Sequence, residues 1–148
     1  MDAELQQKLY DEYPQLFSNK DKGIQSSCMS WGCECGNGWH EIISNVCWMI
    51  AQHERNIHGN RKYLEKNDPE RLKTLPEYFP VKFDQVKEKY GGLRLYFSGG
   101  DEYVEGLVSM AEAISYTICE VCGNKGEPNK SGWISTLCES CRVDNKTT

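Results

Sequence analysis

Two pairs of cysteines near the C-terminal end constrain this chain more than any other feature: Cys119-x-x-Cys122 and Cys138-x-x-Cys141, fifteen residues apart. A tetrahedral zinc ion needs four sulfurs converging at roughly 2.3 Å, and each Cys-x-x-Cys knuckle delivers two of them from one tight turn. Gly123 follows the first pair, where the turning backbone needs φ > 0. Cys119, Cys122, Cys138 and Cys141 are therefore the predicted ligands of one structural zinc. The alternative is a pair of disulfides, since the chain has 8 cysteines, an even number. The N-terminal residues have neither the basic nor the apolar part of a signal peptide. No apolar run approaches the roughly eighteen residues of a membrane span. The expectation is a reducing, cytoplasmic setting with no membrane partner, and clustered thiols there mean metal.

At 148 residues the chain has the length of one ordinary domain. We expect an α+β core over 1–116 and a zinc-knuckle lobe over 117–148. The formal charge is −5, and four zinc-bound thiolates add about two further negative charges. That balance argues against wrapping bulk nucleic acid, which needs a basic surface, but leaves room for one local cationic pocket.

Along the chain, Leu5, Leu9 and Tyr13 predict a first helix stopped by Pro14, with Leu16 and Phe17 as core anchors. Residues 18–30 read as a loop. Asn37 is a candidate cap for a helix from Trp39 to His53, whose buried stripe is Trp39, Ile42, Ile43, Val46, Met49 and Ile50. Cys28, Cys33, Cys35 and His40 fit no standard knuckle, so a second metal is the lesser reading beside burial of small thiols. His53 and Cys47 read as packing residues. Residues 54–80 are polar, with mixed charge and three prolines, and predict a surface helix and loop or a mobile insertion.

Gly91-Gly92 between two β-favouring runs predicts a two-residue hairpin pairing Lys89 with Arg94, Lys87 with Tyr96 and Val86 with Phe97. Alternation then puts Lys87, Lys89, Arg94 and Tyr96 on one face and Val86, Tyr90, Leu93, Leu95 and Phe97 on the other. The cationic face can receive an anion such as phosphate, with Trp31 or Trp39 available for stacking. An ordinary solvated sheet face is the plainer reading, and a helix over 83–89 would dissolve the face. Asp101 caps a further helix with the predicted buried stripe Tyr103, Leu107, Met110, Ala111 and Ile114. Trp133 and Ile134 are expected to pack over the metal. The predicted fold class is α+β, helices on a small antiparallel sheet with a four-cysteine lobe.

Trp31-Gly-x-x-Cys35-Gly-Asn-Gly-Trp39, Val86-Lys-Glu-Lys-Tyr-Gly-Gly-Leu-Arg-Leu-Tyr96, Cys119-Glu-Val-Cys-Gly123 and Leu137-Cys-x-x-Cys141 together resemble a family of small bacteriophage and prophage proteins. The resemblance covers most of the chain outside the polar middle. It implies a viral accessory protein acting in a bacterial cytoplasm, where such proteins often counter host defence, and it supplies no catalytic residues.

Known zinc chemistries fit poorly. A nucleobase deaminase needs His-x-Glu and Pro-Cys-x-x-Cys, whereas His40 and His53 precede Glu41 and Glu54 directly and Ile118 precedes Cys119. A ββα-metal nuclease needs a histidine between the knuckles, and 123–137 has none. The expectation is a non-enzymatic protein that captures an anionic small molecule, a nucleotide signal, over the hairpin cations. The alternative is an adaptor that blocks a host protein through the zinc lobe or acidic surface. A homo-oligomer can complete a pocket in the first case.

Overall fold

The computed structural model describes residues 1–129 and 132–144. Helix α1 (Ala3–Glu12) begins at Asp2, whose carboxylate accepts the Leu5 N–H at 3.0 Å, and it buries Leu9 and Tyr10. Such a cap contributes about 1 kcal/mol. Past Pro14 the chain buries Leu16 and Phe17 completely, with the Phe17 ring 5.0 Å from Tyr10 and 5.2 Å from Phe83. The stretch expected as loop contains two 3₁₀ turns, Ser18–Lys22 and Cys28–Trp31.

Strand β1 (Cys33–Glu34) leads through a 3₁₀ turn, Asn37–Trp39, into α2 (His40–Asn67). Asn37 does not cap α2, which has no side-chain cap. Its amide instead exchanges two hydrogen bonds with Asp2, at 2.8 and 2.6 Å. Helix α2 buries Ile42, Ile43, Val46, Cys47, Ile50 and Ala51, then runs 14 residues beyond His53. That extension lacks proline and is rich in helix-favouring Glu, Arg and Lys. Asp68 ends α2 and caps α3 (Pro69–Thr74), with Pro69 at the first helical position.

Strands β2 (Lys82–Lys89) and β3 (Gly92–Ser98) form the expected hairpin in a different register. Lys87 faces Arg94, Val86 faces Leu95 and Lys89 faces Gly92, so each β2 residue meets a partner two positions earlier on β3 than expected. The turn residues are Tyr90 and Gly91, with φ of 54° and 76°. A two-residue shift keeps every side chain on its side of the pleat, so Lys87, Lys89, Arg94 and Tyr96 still share a face. Tyr90 leaves the apolar face for the turn. Gly92 is needed elsewhere: a Cβ there would enter the Tyr116 ring.

The three-stranded sheet is mixed, because β1 joins β2 in parallel with Cys33 beside Val86 and Glu34 beside Lys87. Helix α4 (Glu102–Ser115), capped by Asp101, covers the other edge. Ser115 Oγ accepts the Leu93 N–H and a Glu112 carboxylate oxygen accepts the Leu95 N–H, both at 2.9 Å. Those bonds occupy N–H groups that an edge strand otherwise leaves open. They also set the helix phase: α4 buries Val104, Val108, Ala111 and Ser115, so of the expected stripe Ala111 is buried and Leu107 packs partly buried on the core, while the other three residues turn outward. Tyr103, Met110 and Ile114 are exposed. Strands β4 (Glu127–Pro128) and β5 (Thr136–Leu137) pair antiparallel, and α5 (Glu139–Asp144) follows β5. The fold is α+β with the four cysteines gathered at its C-terminal end.

Candidate functional site

The cysteine lobe grips the core through the glycine-rich turn before α2. The Trp39 indole N–H donates to the Ile118 carbonyl at 2.9 Å, and the Gly38 N–H donates to the Glu120 carbonyl at 2.7 Å. The Gly36 N–H meets the Glu120 carboxylate at 2.9 Å. A Cβ on Gly38 would fall on the Cys119 carbonyl oxygen, and one on Gly36 would fall on that of Glu120. The glycines therefore permit backbone-to-backbone docking of the first knuckle. On its far side, Glu120 N–H bonds Thr136 O at 2.9 Å and Thr136 Oγ1 donates to Gly91 O at 2.5 Å. The lobe thus spans from the start of α2 to the tip of the hairpin.

Within the lobe, Cys119 N–H donates to Asn124 O and Gly123 N–H to Cys119 O, bending the first knuckle. The second knuckle opens α5. All four sulfurs lie within 4.8 Å of one another, and Cys122 Sγ stands 3.6 Å from Cys138 Sγ. Tetrahedral bonds of 2.3 Å require sulfur–sulfur edges of about 3.8 Å; a disulfide needs about 2.05 Å. The cluster has the dimensions of a metal site, and Cys119, Cys122, Cys138 and Cys141 can hold an ion. Hydrogen bonds favour thiolate at two of the four sulfurs, Cys119 and Cys138. Burial raises the Cys119 pKa, but N–H groups of Cys138, Cys122 and Val121 outweigh it and the net shift is downward. The Ser140 hydroxyl, then the Cys141 N–H, lower Cys138 to about 6, while Cys141 is raised to about 12 by sharing hydrogen bonds with Cys138 and Cys122.

Trp133 and Ile134 do not cover the metal site. Trp133 is 82% exposed, and Ile134 lies against Gly91. Together with the hairpin they bound a cleft of about 520 Å³ lined by Lys87, Glu88, Lys89, Tyr90, Trp133 and Ile134. Glu88 uses its carboxylate on the Gly91 N–H at 2.6 Å.

Of the predicted ligand-binding residues, the structure brings Lys87 and Lys89 to this cleft. Arg94 shares their face but is engaged, donating to Tyr116 Oη at 2.8 Å and Leu93 O at 2.6 Å. Tyr96, opposite Gln85, lies farther from the turn, and Trp31 is exposed on its own 3₁₀ turn; neither lines the cleft. Trp39 has no exposed surface and belongs to the core, correcting its reading as a stacking residue. Tyr90, expected on the apolar face of the hairpin, and Trp133, expected over the metal, line the cleft instead; the sequence signal for Trp133 is an aromatic residue in a polar segment with neither helical nor strand periodicity.

Cys28, Cys33, Cys35 and His40 form no second cluster: among the described residues, the C-terminal group alone brings three or more candidate ligands together. Burial is the main reason Cys33 and Cys35 are raised to about 12. His53 joins α2 to α4, with Nε2 2.8 Å from Asp101 Oδ2 and its ring stacked on Tyr103 at 4.2 Å. No helix among the described residues is long and apolar enough to cross a membrane. No protein-family model, curated protein or solved structure matches the chain.

Proposed function

We propose that this chain is a non-enzymatic binding protein whose lobe is fixed by one zinc ion and whose hairpin captures an anionic small molecule, a nucleotide. Four converging thiolates suit zinc, a borderline-soft ion content with tetrahedral sulfur. A four-cysteine shell leaves no open position for a reacting water, so the metal holds the lobe in place. The observation that carries the ligand reading is the cleft between the hairpin and that lobe, with Lys87 and Lys89 on its wall. Two ammonium groups on a rigid strand attract phosphate in an otherwise acidic protein. In keeping with the phage resemblance, the proposed role is counter-defence, by sequestering a nucleotide signal in the bacterial cytoplasm. Elemental analysis should return one zinc per chain. A nucleotide thermal-shift screen should stabilise the wild type but not Lys87→Ala/Lys89→Ala; equal shifts would remove this site.

A protein-binding role is favoured by a different observation, the exposed Tyr103, Met110 and Ile114 on α4. Their spacing puts them on one helical stripe. Under that reading, Met110→Asp abolishes retention of a stoichiometric host protein and leaves any nucleotide shift intact.

A further inference from the structure

The hairpin turn carries a residue that folding alone does not call for. A two-residue turn with φ > 0 at both positions favours Asn, Asp or Gly, and a bulky side chain there is a backbone outlier. This turn has Tyr90 at φ 54°. Its ring is 69% exposed, so little core packing compensates. Across the cleft, Trp133 is 82% exposed. Among the described residues neither ring is stacked on another aromatic side chain, and the one ring contact of Tyr90 is Lys89 Nζ, 5.7 Å from its centroid. Both line the cleft that holds Lys87 and Lys89. Strained backbone that persists without a return in packing points to function.

We infer that Tyr90 and Trp133 form an aromatic clamp for a flat ring joined to the anion, so the ligand class is a nucleobase-bearing phosphate and not a bare phosphate or sugar phosphate. The lysines supply attraction, and the rings supply stacking that tolerates different bases because every base has a π-face. One wall is the hairpin turn and the other is the segment before Thr136, so the clamp exists only while the lobe is docked. This inference rests on the proposed capture of an anion by Lys87 and Lys89.

Calorimetric titration of the zinc-loaded protein with adenosine monophosphate and with ribose 5-phosphate tests it. The nucleotide is expected to bind roughly tenfold or more tightly than the sugar phosphate. Tyr90→Asn and Trp133→Ala should each erase most of that difference while leaving zinc content unchanged. Tyr90→Asn should also raise the urea midpoint, because Asn suits the turn. Equal affinity for the two probes overturns the clamp and leaves the anion reading standing; no binding of either overturns both. A lowered urea midpoint in Tyr90→Asn overturns the argument that the tyrosine serves no folding purpose.

Discussion

Trp39 illustrates how one residue type carries two meanings that a linear pattern cannot separate. An indole beside glycines reads equally as a stacking platform or as a core ring, and the difference lies in whether its N–H finds a partner inside. Here the Ile118 carbonyl supplies one, 79 positions away in sequence, and no local periodicity encodes that meeting. Trp39→Phe removes the donor, leaves a buried carbonyl unpaired and opens a small cavity. We expect a loss of about 2–4 kcal/mol in urea denaturation; a loss below about 0.5 kcal/mol would contradict this account of docking. Gly38→Ala acts on the same contact from the backbone side and should lower both the melting temperature and zinc retention. The buried thiols make a separate test. With Cys33 and Cys35 raised to about 12 by burial, about one in ten thousand is thiolate at pH 8. Iodoacetamide at pH 8 should therefore label exposed Cys28 and spare both until the protein unfolds, as read by mass spectrometry. Labelling of either in the native protein would overturn their placement.

At the scale of elements, helices with one apolar stripe were readable and the details fixed by tertiary partners were not. The first helix and the core half of α2 follow from spacing, because there burial alone sets the pattern. Helix α4 has apolar residues on two adjoining stripes that share Ala111, and spacing cannot choose between Tyr103–Met110–Ile114 and Val104–Val108 as its buried companions. The choice falls to Ser115 and Glu112, whose side chains satisfy the outer N–H groups of β3. The hairpin behaves alike: two glycines announce a turn, but Tyr116 packing on Gly92 moves it back by one residue. The cationic face survives that error because pleat parity is unchanged, while the partners along it change. Ser115→Ala deletes the acceptor for the buried Leu93 N–H. The expected cost is about 1–3 kcal/mol, seen in urea denaturation. Ser115→Thr keeps the hydroxyl and should recover part of it. A neutral alanine variant would mean that α4 does not cap this edge.

For the molecule as a whole, the two halves draw stability from different sources. The main hydrophobic cluster runs from Leu9 to Ala111 and includes Phe17, Trp39, Phe83 and Leu93, all before the first knuckle. In the lobe the buried residues among those described are Cys119, Gly126, Thr136 and Leu137, too little apolar surface to hold a chain segment by burial alone. Its order must come from the proposed zinc and from the hydrogen bonds of Trp39, Gly36, Gly38 and Thr136. Metal removal should therefore split the molecule's behaviour. Chelation of zinc, or Cys138→Ser, is expected to leave most of the far-UV helical signal, since α1, α2 and α4 belong to the core. Hydrogen exchange should rise across the lobe and at the hairpin tip, where Thr136 releases Gly91. Nucleotide affinity should fall at least tenfold, because one wall of the cleft departs with the lobe. Loss of all secondary structure in a single transition on chelation would show that core and lobe fold as one unit; unchanged nucleotide binding by metal-free protein would show that the lobe forms no part of the site.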